Sequence, residues 1–192
     1  MYNKVLRAIN NLLDNSEKDT VWVAIDGPSA SGKSSLGNFI NDNFICNIFH
    51  MDDFFLPPEK KTEERLGEVG GNIDYERFEK EIINNVNSGH NFTFNVYDCH
   101  SSSFFESGKV FQKKLNVVEG VYSMHPNLID TYDYKIYLDI DSEKQKQRIL
   151  NRSNEAKLNR FVNEWIPLEN RYFEAANLKN RCDNVFDTTE LY

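Results

Sequence analysis

Residues Gly27-Pro28-Ser29-Ala30-Ser31-Gly32-Lys33-Ser34 put glycine, glycine, lysine and serine at the four fixed positions of G-x-x-x-x-G-K-[ST]. The chemistry of that spacing is phosphate binding. Two glycines let a loop wrap closely around a polyphosphate, with successive backbone N–H groups aimed at its oxygens. Lys33 has the reach for β- and γ-phosphates, and the Ser34 hydroxyl is placed to ligate Mg²⁺. The flanking sequence agrees. The apolar run Val21-Trp22-Val23-Ala24-Ile25 reads as a buried strand entering the loop, and Leu36, Phe39 and Ile40 follow at helical spacing. A phosphate at the mouth of that helix gains from its unpaired N–H groups and its dipole. Gly27, Ser29, Ala30, Ser31, Gly32, Lys33, Ser34 and Ser35 are therefore the expected nucleotide contacts.

Carboxylates stand where a phosphoryl acceptor would need them. Transfer to an alcohol requires positioning, charge neutralisation and a base for the hydroxyl proton. Asp52 and Asp53 close the second apolar run, Ile45-Cys46-Asn47-Ile48-Phe49, and either suits that task; capping a turn is the structural use of the same residue type. Glu119 ends the run Leu115-Asn116-Val117-Val118, a strand-tip position from which an acid can hold Mg²⁺ directly or through water. Asp74 opens a helix carrying Phe78, Ile82 and Ile83; it reads first as an N-cap, and alternatively as an acceptor for substrate hydroxyls. Six cations (Lys144, Lys146, Arg148, Arg152, Lys157 and Arg160) lie between residues 144 and 160 with Glu155 the only acid among them. Such a reversal of sign suits a lid closing over a polyphosphate, where arginine stabilises the transferring group.

The elements that must position these groups alternate. Strands are expected at 21–26, 44–49, 93–97, 115–119, 134–139 and 184–187, and helices at 2–14, 33–42, 74–87, 142–152 and 161–179. Short apolar runs alternating with helical stretches mean a parallel sheet covered by helices, an α/β fold. The segment 56–73, with Pro57-Pro58 and Gly70-Gly71, breaks the rhythm and is expected as a functional loop over the carboxyl ends of the strands.

At 192 residues the chain suits one domain, 1–192. A net charge of -8 argues against nucleic-acid or membrane-surface binding, both of which need a broad basic face. No stretch approaches membrane-span length, and the N-terminus lacks the apolar core of a secretory signal, so a cytoplasmic protein is expected. Cys46, Cys99 and Cys182 form no pair with zinc or redox spacing and read as reduced thiols.

The blocks together resemble the uridine kinase family of phosphate-loop nucleoside kinases, from about residue 20 to residue 187. The likeness rests on Gly27–Ser34, Met51-Asp52-Asp53-Phe54-Phe55, Asn72-Ile73-Asp74-Tyr75, Tyr97-Asp98-Cys99-His100, Val118-Glu119-Gly120-Val121, Tyr137-Leu138-Asp139-Ile140-Asp141 and Arg148–Arg152. The resemblance implies a three-layer P-loop NTPase fold of the nucleoside/nucleotide kinase type, with a parallel five-stranded sheet and a helical lid at approximately 148–162. It implies Asp52 as base on a nucleoside 5′-hydroxyl, Asp74 on ribose hydroxyls and Tyr97 against the nucleobase. Phe55 and His100 complete the substrate set, and Lys33, Arg148 and Arg152 act on the phosphates. The implied co-substrate is ATP or GTP with Mg²⁺, held on the metal side by Ser34 and Glu119. The partner is a small nucleoside-like molecule, with a homo-oligomer allowed. Departures fall on the acceptor side. The family's His and Arg after the Tyr-Asp pair are replaced by His100-Ser101-Ser102-Ser103-Phe104-Phe105, Phe55 stands where a tyrosine is usual, and Tyr75-Glu76 replaces His-Pro. Uridine or cytidine is the expected acceptor. Another small alcohol, such as nicotinamide riboside or pantothenate, and a nucleotide-binding regulator without transferase activity are the alternatives.

Overall fold

A computed structural model describes residues 1–191. Five strands, β1 (Val21–Asp26), β2 (Cys46–His50), β5 (Leu115–Glu119), β6 (Tyr134–Asp139) and β7 (Asn184–Asp187), form one sheet in the order β2-β5-β1-β6-β7. Every neighbouring pair is parallel. Such strands are covered on both faces, which is why they read as unbroken apolar runs. Alternate residues feed separate cores. Val21, Val23, Ile25, Val117, Ile136 and Leu138 pack with α1 (Tyr2–Asn15) and α2 (Lys33–Asn43). Trp22, Ala24, Phe49, Val118 and Tyr137 face the opposite layer.

That second layer includes a helix that changes winding twice. It runs from α4 (Tyr75–Phe78) through a π-helical turn, Glu79–Ile83, into α5 (Asn84–Asn87). The expected helix 161–179 is likewise divided, into a π-helical turn Phe161–Trp165, α8 (Ile166–Ala175) and α9 (Leu178–Arg181). Between α6 (Ser142–Arg152) and that turn lies α7 (Glu155–Arg160), so the lid expected at 148–162 spans three helical pieces. The strand expected at 93–97 is β3 (Asn95–Asp98). It stays outside the main sheet and pairs antiparallel with β4 (Ser103–Glu106), a strand the periodicity does not reveal.

The segment 56–73 is a closed loop containing the short helix α3 (Glu63–Gly67). Its ends are pinned together: Leu56 N–H donates to Asn72 O at 2.9 Å and Asp74 N–H to Phe54 O at 2.7 Å. Gly71 permits the closure, because a Cβ there would stand 1.8 Å from Arg65 O. Among the described residues no helix is long and apolar enough to cross a membrane.

Candidate active site

The phosphate loop leaves β1 at Asp26 and enters α2 at Lys33, at the carboxyl edge of the sheet where open α/β folds bind ligands. Gly27 is required by contact as well as conformation. Its φ is +141°, and a Cβ would lie 2.1 Å from Leu138 O on β6. The Lys33 ammonium is buried against its own loop, donating to Gly27 O at 2.8 Å and Pro28 O at 2.9 Å. Ser34 Oγ lies 3.1 and 3.2 Å from the two Glu119 oxygens. Glu119 Oε1 is also 2.6 Å from His50 Nδ1, and this bond raises the imidazole's pKa. Two hard oxygen donors side by side suit Mg²⁺, so the residues present fit that ion.

Asp52 and Asp53 lie on a 3-10 turn, Met51–Phe54, that continues from β2 while Met51 and Phe54 anchor it in the core. Both carboxylates line the cleft. Asp52 meets water in the cleft but is ringed by protein, and this desolvation is the main influence raising its pKa. Lys33 opposes the rise, Glu119 adds repulsion, and His50 and Arg152 oppose it more weakly. Asp53 is also raised by desolvation, and its charged neighbours are His50, Asp52, Arg77 and, more weakly, Glu119. Asp52 is thus the acid in electrostatic contact with both Lys33 of the loop and Arg152 of α6.

One cleft of about 1360 Å³ joins most of the expected site. Ser29, Ala30, Gly32, Lys33, Ser34, Ser35, Asp52, Phe55, Tyr97, His100, Glu119, Arg148 and Arg152 all line it. Three expected residues stand apart from its wall. Gly27 and Ser31 lie within the loop, Ser31 fully buried. Asp74 is buried as the N-cap of α4, accepting from Arg77 N–H at 3.2 Å, and Lys60 holds its other oxygen at 2.8 Å. Its capping role is what the structure displays; Asn72, two residues earlier, reaches the cleft instead.

The two arginines of α6 differ. Arg152 lines the cleft with its guanidinium 5.6 Å from the Phe161 ring centroid. Arg148 is tied to backbone carbonyls: Nη1 to Ala30 O at 3.3 Å, and Nη2 to Thr188 O at 2.6 Å and Thr189 O at 3.1 Å. It therefore joins the phosphate loop to the segment after β7, in addition to facing the cleft.

Sequence reasoning passes over three groups. Asp26 is fully buried beneath the loop, and burial pushes its pKa up to about 6. It accepts from Gly27 N–H at 2.7 Å, Met124 N–H at 2.9 Å and the Tyr172 hydroxyl at 2.7 Å. An acid ending an apolar strand just before the first loop glycine was the available signal. Glu169, on α8, lines the cleft and holds Ser29; nothing in its local sequence marks it. Phe105 on β4 adds a half-exposed ring to the aromatic wall of Phe55, Tyr97 and Tyr122.

No protein-family model matches the chain. In sequence it is 24% identical to uridine-cytidine kinase C of Dictyostelium discoideum over 133 residues, 68% of this chain but only 29% of that protein's length. In structure it matches a possible uridine kinase from Bacillus stearothermophilus with a TM-score of 0.70 and 21% identity, covering 96% of this chain and 98% of the other. D-glycerate 3-kinase from Cryptococcus neoformans matches with a TM-score of 0.62 and 14% identity, over 96% of this chain and 93% of that one. At these identities the structural likeness establishes the fold, that of the P-loop kinases. The uridine kinase resemblance read from the motifs is met by one sequence relative and one structural neighbour bearing that name.

Proposed function

We propose that this protein is a phosphotransferase that moves the γ-phosphoryl group of ATP, or GTP, onto the 5′-hydroxyl of a nucleoside, most simply uridine or cytidine. The observation that carries this reading is the single cleft, in which Lys33, Arg152 and Asp52 act on one another and the rings of Phe55, Tyr97 and Phe105 line the same wall. A switch protein has no use for that acid and those rings.

In this reading the donor's phosphates lie on the loop amides, with Lys33, Arg152 and the lid cations neutralising charge. Ser34 and Glu119 would hold Mg²⁺, which would offset the negative charge of the donor's phosphates. The acceptor hydroxyl gives its proton to Asp52 as its oxygen bonds to the γ-phosphorus and the bond to the β-phosphate oxygen breaks. The raised pKa of Asp52 makes it a better proton acceptor than an ordinary surface aspartate. The rings of Phe55, Tyr97 and Phe105 offer a stacking surface for a base.

The stretch 98–105 brings no arginine to the aromatic side of the cleft, where Lys61 and His100 line the wall. This favours testing nicotinamide riboside and pantothenate beside the pyrimidine nucleosides. The purified protein is to be incubated with γ-labelled ATP and each acceptor in turn. Label on a nucleoside, lost in Asp52→Asn, supports the reading, and label on pantothenate alone moves the acceptor to a small alcohol that is not a nucleoside. Hydrolysis indifferent to every acceptor assigns the protein to nucleotide-gated regulation instead.

A further inference from the structure

Glu169 is 4% exposed, yet its carboxylate is spent on the phosphate loop. Oε2 accepts from the Ser29 N–H at 2.9 Å and Oε1 from the Ser29 hydroxyl at 2.5 Å. Three residues on, on the same face of α8, Tyr172 donates to Asp26 at 2.7 Å, and Asp26 in turn accepts from Gly27 N–H. One helix face thus grips the entry of the loop at two points. From α6, Gln145 donates to Ser29 O at 3.1 Å and Arg148 to Ala30 O at 3.3 Å. These two helices flank α7 and the π-helical turn, which supply Ala156, Lys157, Arg160, Phe161 and Trp165 to the cleft wall.

A carboxylate beside an anion site has the wrong sign to attract the ligand. Burial also raises its pKa, a further sign that its charge is poorly solvated there. What it does supply is geometry: two hydrogen bonds that fix residue 29 and tie it to the root of the lid. We propose that Glu169 is a positioning residue for the phosphate donor, ordering the loop entry from α8 and so setting donor affinity without touching the acceptor. The role in catalysis rests on the kinase reading above; the ordering of the loop does not.

The experiment measures MgATP affinity by calorimetry, and acceptor KM by labelled transfer, for wild type, Glu169→Ala, Glu169→Gln, Ser29→Ala and the double variant Ser29→Ala with Glu169→Ala. Glutamine retains an oxygen for the N–H and an amide for the hydroxyl. The alanine variant is expected to bind MgATP about tenfold more weakly or worse, with the glutamine variant within about threefold of wild type and acceptor KM unmoved in both. Ser29→Ala should cost a few-fold alone and little more on the Glu169→Ala background, because the two share an interaction. Without nucleotide, amide exchange in residues 27–32 should be faster in Glu169→Ala. The proposal is overturned if Glu169→Ala binds MgATP as well as wild type or better, if Glu169→Gln is as weak as alanine, or if donor and acceptor constants worsen together. Wild type that fails to bind MgATP sinks the kinase reading alone, and exchange then still decides whether Glu169 orders the loop.

Discussion

The Tyr172 hydroxyl donates to Asp26 Oδ2 across 2.7 Å, joining residues 146 positions apart and suspending the root of the phosphate loop from α8. Asp26 is consequently a fully buried acid with three donors, whose folded-state pKa of about 6 lies above its ordinary 3.8. The folded protein keeps this proton where the unfolded chain has lost it. Stability from this group is therefore fullest below about pH 4, declines as pH rises to about 6, and is flat beyond, for a total of about 3 kcal/mol. Urea unfolding of wild type and Asp26→Asn across pH 4–8 checks this. The wild-type curve should fall relative to the variant between pH 4 and 6; parallel curves would mean that Asp26 is ionised throughout.

Asp52→Asn removes the proposed base while keeping the side chain's size. Turnover is expected to drop by about 10²–10⁴ with MgATP affinity nearly kept. The wild-type rate should also rise with pH along an acid limb displaced above the usual carboxylate range, since desolvation raises this group. The variant should lose that limb. A pH–rate series on both proteins reads each point.

Gly27→Ala asks a residue with a Cβ to hold φ at +141° with that carbon 2.1 Å from Leu138 O. Either loop or strand must shift. A loss of at least about 2–3 kcal/mol in unfolding free energy is expected, with nucleotide binding lost because the loop can no longer keep its path. Thermal melts with and without MgATP measure both, and the wild-type stabilisation by ligand should vanish in the variant.

How far the sequence led depended on how local each feature is. The course from Val21 through the phosphate loop to Phe39 is contiguous, and periodicity plus four fixed residues describe it almost to its boundaries. The tip of β5 was legible for the same reason, since an apolar run ending in an acid and then glycine defines Glu119 alone. The pair Ser29 and Glu169, separated by 140 residues, was not, because no pattern on α8 encodes which strand edge it will face. Asp74 illustrates the reverse: its capping signal was visible, and its ion pair with Lys60 was not. Periodicity found the strand at 93–97 but not its partner. Residues 98–102 turn back on Asp98, which accepts from His100 N–H at 2.8 Å and the Ser101 hydroxyl at 2.7 Å, and Ser102 takes a φ of +50°.

That hairpin yields a test of the acceptor end. Phe105 is 53% exposed and lines the cleft beside Tyr97, whose own ring packs 5.0 Å from Phe104. Removing the Phe105 ring should cost little stability but should deprive an aromatic acceptor of a stacking face. Phe105→Ala is expected to raise acceptor KM about tenfold with donor KM unchanged. An unaltered acceptor KM with every active acceptor would exclude stacking on this ring.

Arg148 and Arg152, four residues apart on α6, should separate when each is changed to methionine. Arg148 donates to three backbone carbonyls, two of them beyond β7, so its loss leaves those acceptors short of a charged donor. Arg148→Met is expected to lose about 1–3 kcal/mol of stability as well as donor affinity. Arg152 has no such structural duty in view. It lies over the Phe161 ring and acts electrostatically on Asp52, opposing the rise in that carboxyl's pKa. Arg152→Met should melt near wild type while kcat falls by about 10²–10³, the range seen when one charge-stabilising donor is removed from a transferring group. It should also raise the pKa of Asp52 further and shift the acid limb of the rate profile to higher pH. If both variants lost kcat equally and melted alike, the carbonyl contacts of Arg148 would be incidental, and both arginines would belong to the phosphate site alone.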